Sequence, residues 1–400
     1  CSDHRKNYPY QNPQLSIEER VEDLLGRLTM EEKLELLGGT GFATKPIKRL
    51  GIPELNMTDG PLGVRWGPST AFPASIALAS SWDPKVAEKV GQAIAREVKG
   101  KGRHVILAPC VNIARIPQGG RNFESYGEDP YLCSRMTVSY IQGVQQEKVV
   151  ATVKHYAANN QEYQRDFVDV QVSERALNEI YFPAFKAAVT EAGVLAVMSA
   201  YNKVNGPYCS ENPYLLNEKL KGEWDFQGLV MSDWGAVHST IPTSQNGLDL
   251  EMPYGKYLNP DALREPLKNG TVTPTQIDEK IRRILRVMFT IGLFDGYPAL
   301  DSTVINSAEH RQVALEAARA GTVLLKNNEK ILPLDLKKIR SIAVIGPNAA
   351  IARTGGGGSS QVTPIDPVSP LQGLKNRAGD QIQILHAPGI RLDGDESAID

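Results

Sequence analysis

Four stretches of the chain place a polar or charged residue where an apolar run ends, and a loop supplies one more. Asp59 closes the run that begins at Leu55, Lys154 and His155 close Val149 to His155, and Tyr201 lies near the end of Val194 to Asn202. Asp233 and Trp234 follow Leu229-Val230-Met231-Ser232, and Arg121 sits in the loop Gly119 to Pro130. Taken singly, each has a plain structural explanation: Asp233 could cap the following helix, Asp59 could belong to an Asp-Gly-Pro turn, and Lys154-His155 could be a solvated strand end. Gathered at one face, a carboxylate pair with a guanidinium, an ammonium and an imidazole is costly unless something polar binds there. A sugar ring suits such a set. Its hydroxyls donate to carboxylates and accept from Arg or Lys, Trp covers an apolar sugar face, and a central carboxylate could attack the anomeric carbon.

Other chemistries find less support. The glycine run Thr354 to Val362 lacks the Lys of a phosphate loop. Ser360 stands where a dinucleotide motif needs its third glycine, and Gln361 breaks the G-x-S-x-G pattern. It reads as a mobile loop, either inert or closing over a neighbouring site. The six histidines form no H-E-x-x-H pair and the four cysteines have no zinc-site spacing, so no metal and no cofactor is assigned. A net charge of -2 with scattered basic residues gives no footprint for nucleic acid. No apolar run approaches the ~18 residues of a membrane-spanning helix.

Cys110, Cys133 and Cys209 read as buried thiols. Cys1, followed by polar Ser2, Asp3, His4 and Arg5, resembles the processed N-terminus of a bacterial lipoprotein. That reading implies a lipid anchor at Cys1 and a bacterial cell envelope or periplasmic location; the alternative is an arbitrary start to the numbering. The sequon at Asn56 falls in an expected strand and is treated as chance; a second lies at Asn269.

To bring the polar residues together, the chain must alternate strands and helices. Helices are expected over Ser16 to Leu37, Pro84 to Lys99, Tyr131 to Gln146, Ser173 to Thr190 and Thr275 to Ile291, several with capping signals at their starts. Between them lie five short apolar runs with functional residue types at their C-terminal ends, the signature of a (β/α) TIM-like barrel. A doubly wound sheet would carry a glycine fingerprint after its first strand, and none is present. The expected barrel covers residues 1–300. A linker and connecting helix (301–320, with helix around Ala308 to Ala320) lead to a second α/β domain over 321–400, with strands at Thr322 to Asn327 and within Arg340 to Ala349. The sequence ends where Asp395 would cap a helix only begun, which suggests a fragment of a longer protein with the second domain truncated.

DGPLGVR (Asp59 to Arg65), GGRNFESYGEDP (Gly119 to Pro130), VKHYAANNQE (Val153 to Glu162), SAYNKVNG (Ser199 to Gly206), MSDWGAVH (Met231 to His238) and GLDLEMP (Gly247 to Pro253) resemble glycoside hydrolase family 3. Weak singly, the six ordered motifs are jointly specific and run through nearly the whole first domain. The resemblance implies a second domain of α/β/α sandwich type and makes Asp233 the nucleophile of a retaining reaction, with Tyr201 hydrogen-bonded to its carboxylate. Asp59, Arg121, Lys154 and His155 would hold the hydroxyls of the nonreducing sugar. Trp234 would stack at the leaving-group subsite, and Glu124 and Glu251 would support as ion pairs or touch the sugar directly. No His follows His155 until His238, which sets the chain apart from the N-acetylglucosaminidase branch. Thr58-Asp59-Gly60-Pro61 and Trp234 set it apart from the xylosidases. The resemblance therefore implies an exo-acting β-glucosidase on terminal β-D-glucosyl residues of glucosides or oligosaccharides. A β-xylosidase, another β-glycosidase or a catalytically silent sugar-binding barrel are the alternatives. In that branch the general acid/base is a Glu of the second domain, and no residue of this chain is recognisable as that acid.

Overall fold

The computed structural model describes residues 8–298 and 301–389. Cys1 and the helix expected at Asp395 lie outside the described residues.

Two short helices open the chain. In α1 (Ile17–Arg27), Ser16 Oγ accepts from Glu19 N while Glu19 accepts from Ser16 N at 2.9 Å. Thr29 and Glu32 repeat the arrangement at the start of α2 (Met30–Leu36). The single helix expected over Ser16 to Leu37 is therefore broken at Leu28 and Thr29, both extended. A second capping box inside an otherwise helical stretch satisfies the amides of a new start better than continuation would.

Strands β1 (Met57–Asp59), β2 (Val105–Leu107), β3 (Val150–Tyr156), β4 (Ala196–Ser199) and β5 (Leu229–Ser232) pair in chain order, all parallel. Every residue in them is buried. Strands covered on both faces need continuous apolar sequence, which is why these runs show no alternation. Between them, α3 (Pro84–Gly100), α4 (Pro130–Gln146) and α5 (Pro183–Thr190) pack outside the sheet, and α6 (Pro274–Thr290) follows β5. Asp83 and Asp129 cap α3 and α4 with Pro at the first helical position, as Asp-Pro dictates. The helix expected over Ser173 to Thr190 is interrupted by a wide turn, Leu177–Tyr181, where Phe182 N bonds Leu177 O at 2.8 Å. Pro183, which has no N–H to continue a ladder, restarts the helix there.

The ring closes by single bridges rather than full strands. Met231 pairs with Leu250 and Glu251 with Gly38, both parallel; Gly39 pairs with Thr44 and Ala43 with Asn56, both antiparallel. The barrel is thus TIM-like with a small antiparallel hairpin in its wall.

Beyond it, α7 (Ala308–Ala320) takes the expected position and packs on α3. There the buried His310 Nδ1 meets the buried Glu97 Oε1 at 3.0 Å. Strands β6 (Ser341–Ile345) and β7 (Gln383–Ala387) form a parallel pair. The strand expected at Thr322 to Asn327 is absent: no described segment pairs with it, and Val323, Leu324 and Leu325 are exposed. Apolar composition alone makes no strand without a neighbour to complete its hydrogen bonds. Val362 is buried, and Thr363 and Pro364 pair in parallel with Pro68 and Ser69 in the loop after β1. The three expected buried cysteines are buried and free.

Candidate active site

A pocket of about 520 Å³ opens at the C-terminal ends of the barrel strands, lined by Asp59, Arg121, Lys154, His155, Tyr201, Asp233 and Trp234. The seven residues singled out by type and position therefore share one cavity, of a size that suits a small ligand.

Asp233 follows the last residue of β5, and its amide bonds Ser199 O at 3.2 Å, which keeps it in line with β4. Its Oδ1 accepts from Trp234 N at 2.7 Å, leaving Oδ2 on the pocket side, 3.6 Å from His155 Nε2. Burial raises the Asp233 carboxyl above its ordinary range, against the pull of Lys154, the Trp234 amide, Arg121 and Tyr201. His155 is driven the other way: burial, then Arg121, Lys154 and Arg165, hold it well below the usual imidazole range. The His155–Asp233 pair is therefore a neutral ring beside a carboxyl, not a salt bridge.

Lys154 is 2% exposed, and its ammonium has no hydrogen-bond partner among the described residues. Arg121 is held by the fully buried Glu124, which bears out that supporting ion pair. Its Nη2 also reaches Ser359 Oγ at 3.3 Å. Asp59 Oδ2 accepts from Arg65 Nη1 at 2.7 Å.

Tyr201 stands where it was expected, and Glu251 does not. Tyr201 lies beside Asp233, and burial together with that carboxylate pushes its phenol up. As a hydrogen-bonding neighbour it in turn lowers the Asp233 carboxyl, and its hydroxyl also reaches the main-chain carbonyl of Trp234 at 3.1 Å. Glu251 forms no ion pair among the described residues and does not line the pocket; it accepts from Tyr257 N at 2.8 Å and Leu258 N at 2.6 Å. It folds the loop after the sixth barrel segment, a task set by unpaired main-chain amides.

The cavity also holds residues that received no role from sequence. Phe42 packs against Trp66 and Trp234 with ring centroids 5.5 and 4.8 Å away, forming an aromatic wall, and Arg65 stacks on Trp66. Arg165 stacks on Tyr201 at 4.2 Å and pairs with Glu162 at 2.5 Å. Arg65 and Glu162 end two of the quoted motifs, so a signal existed; Phe42 comes from the antiparallel hairpin and had none. Gly356 to Ser360 line the pocket as well, so the glycine run closes over this site. A Cβ on Gly356 would lie 2.1 Å from Phe123 Cζ, and Gly357 and Gly358 adopt φ of 77° and 55°. Close approach and left-handed backbone together explain the glycines.

Relatives share this architecture. The family model described as the glycosyl hydrolase family 3 N terminal domain matches residues 27–287, and its C-terminal domain model matches 322–397. A beta-glucosidase of Rhizobium radiobacter is 44% identical over 377 residues, 92% of this chain and 46% of that protein. Thermostable beta-glucosidase B of Acetivibrio thermocellus is 41% identical over 393 residues, 94% of this chain and 51% of that protein. The crystal structure of the Kluyveromyces marxianus beta-glucosidase in complex with glucose superposes with a TM-score of 0.88 at 38% identity, covering 92% of this chain and 46% of that one. The chain spans about half the length of the relatives it matches. With the barrel, the ordered motifs and both family models in agreement, the chain belongs to glycosyl hydrolase family 3.

Proposed function

We propose that the protein is a retaining, exo-acting β-glucosidase that removes terminal nonreducing β-D-glucosyl residues. The observation that carries this is Asp233: a buried carboxylate with one oxygen tied to a main-chain amide and the other turned to a pocket shared with Lys154, Arg121 and Asp59. In this reading Asp233 Oδ2 attacks the anomeric carbon, the bond to the aglycone oxygen breaks, and a glycosyl-aspartate ester forms. Water then attacks the same carbon from the opposite side, the ester bond breaks, and two inversions give retention.

Lys154 and Arg121 offer charged donors to ring hydroxyls, and Asp59 offers acceptor oxygens beside Arg65. Trp234, with Phe42 and Trp66 behind it, takes the aglycone. Tyr201 buttresses the turn that carries Asp233. None of the pocket's other carboxylates is assigned as the proton donor to the leaving group: Asp59 is occupied by Arg65 and Glu162 by Arg165.

The test is to incubate the protein with an activated 2-deoxy-2-fluoro-β-glucoside and locate the adduct by peptide mass spectrometry. Fluorine slows breakdown of the ester, so the label is expected on Asp233. A label elsewhere, or none while the same glucoside without fluorine is hydrolysed, overturns the assignment.

A further inference from the structure

Behind His155, away from the pocket, stands Asn112 in the loop after β2. It makes three contacts with the histidine: Oδ1 lies 2.9 Å from His155 N and 3.0 Å from His155 Nδ1, and Nδ2 donates to His155 O at 2.8 Å. Main-chain N–H groups only donate and carbonyls only accept, so the two main-chain contacts fix which way the amide points. The atom facing Nδ1 is therefore the Asn112 oxygen. An oxygen acceptor at 3.0 Å requires the proton to be on Nδ1.

Burial and three cations, Arg121, Lys154 and Arg165, oppose a second proton. Nε2 then carries a bare lone pair and lies 3.6 Å from Asp233 Oδ2. No described residue donates a hydrogen bond to Nε2, so a hydroxyl brought by a ligand is the donor that its lone pair can take. The other near neighbour, Cys110 Sγ, is 3.7 Å from Nδ1 and 3.2 Å from Ser125 Oγ. A buried thiol pushed up by its surroundings is at most a weak donor and does not compete for the ring.

We infer that Asn112 is a positioning residue that locks His155 in the Nδ1–H tautomer, so that His155 recognises its ligand by accepting a hydroxyl proton at Nε2. The sugar part of this inference rests on the proposed glycosidase function; the tautomer does not. His155 and Lys154, adjacent in sequence, then offer opposite halves of a hydroxyl's bonding capacity: the lysine only donates and the histidine only accepts. A hydroxyl meets both demands, whereas an ether or fluorine at the same place meets only the lysine's.

Neutron diffraction from deuterium-exchanged crystals of the unsubstituted protein at neutral pH tests the tautomer directly. A deuteron on Nδ1 with none on Nε2 is expected; a deuteron on Nε2, alone or with Nδ1, overturns the inference. In crystals soaked with glucose, a hydroxyl deuteron should point at Nε2, and bound glucose that leaves Nε2 without a donor also overturns it. Failure of glucose to bind counts against the proposed function, while the deuteron positions still decide the tautomer.

In solution, Asn112→Asp places a carboxylate on Nδ1 and should let His155 take a second proton at mildly acidic pH. KM is then expected to rise about tenfold as pH falls through that range, with kcat changed less, where the unsubstituted enzyme shows no such limb. Unaltered pH profiles in folded Asn112→Asp argue against the role. If that variant does not fold, the neutron result stands alone.

Discussion

Arg121 Nη2 lies 3.3 Å from Ser359 Oγ, a contact between residues 238 positions apart that joins a barrel loop to the glycine run beyond α7. The pocket is therefore built from both regions of the chain, and a substitution in the glycine run tests the contact from the loop side.

Gly356→Ala is the sharpest perturbation. The added Cβ would meet Phe123 at 2.1 Å, so either the ring or the loop must move. Overpacking of this kind costs about 1–3 kcal/mol, and here it falls on pocket closure. KM for an aryl β-glucoside should rise about tenfold or more, with little change in thermal unfolding. An unchanged KM would mean that the loop lies over the site without holding the sugar.

Asp233→Gly should remove turnover by a factor of about 10³ or more, as loss of a nucleophile does. Added azide should restore cleavage of an activated β-glucoside by attacking the anomeric carbon in the vacated space. The product is expected to be the α-glucosyl azide, read by proton NMR. A β-configured product would sink the proposed geometry.

Much of this site was legible because chemistry-bearing residues terminate the apolar runs. A parallel strand is apolar only until it emerges, so Asp59, Lys154, His155 and Asp233 announce themselves by breaking a run. Glu251 misled because its motif carries a carboxylate whose partners are main-chain amides, which leave no trace in residue types. Phe42 was illegible because a two-bridge hairpin has neither length nor period. The broken helix after Ser16 was readable in retrospect from Thr29 and Glu32. Thr322 to Asn327 has strand composition, but pairing depends on neighbours that composition does not reveal.

Glu97 sets the acid stability of the junction between α3 and α7. Fully buried, it accepts from Thr70 N, Thr70 Oγ1, Asn306 N and His310 Nδ1. Burial raises its carboxyl, but the bonds from His310, Thr70 and Asn306 outweigh this and leave it below its ordinary 4.5. A depressed carboxyl stabilises above the unfolded value and loses that contribution as pH falls through the folded one. Glu97→Ala should cost about 3–5 kcal/mol at neutral pH by urea unfolding, with the difference from wild type narrowing below pH 4.5. A constant difference across that range would assign the loss to packing.

Lys280 predicts a slope of the same sign in a more alkaline window. Buried on α6 with its side-chain nitrogen on Leu248 O, it is pushed down to about 7 chiefly by burial. Between about 7 and its ordinary 10.5 the unfolded chain binds the extra proton, so stability should rise with pH across that window. Lys280→Met should flatten the rise, measured as melting temperature against pH. An identical slope in the variant would place the titration on another group.

The two-residue pairing of Thr363 and Pro364 with Pro68 and Ser69 has a kinetic meaning. It moors the glycine run three residues from Ser360, so whatever opening the loop undergoes is the swing of a short tethered flap. Its local concentration over the pocket is set by that mooring and not by the affinity of one region for the other. Closure is then a first-order event, and lengthening the chain between Ser360 and Thr363 should slow it while also disturbing the buried Val362.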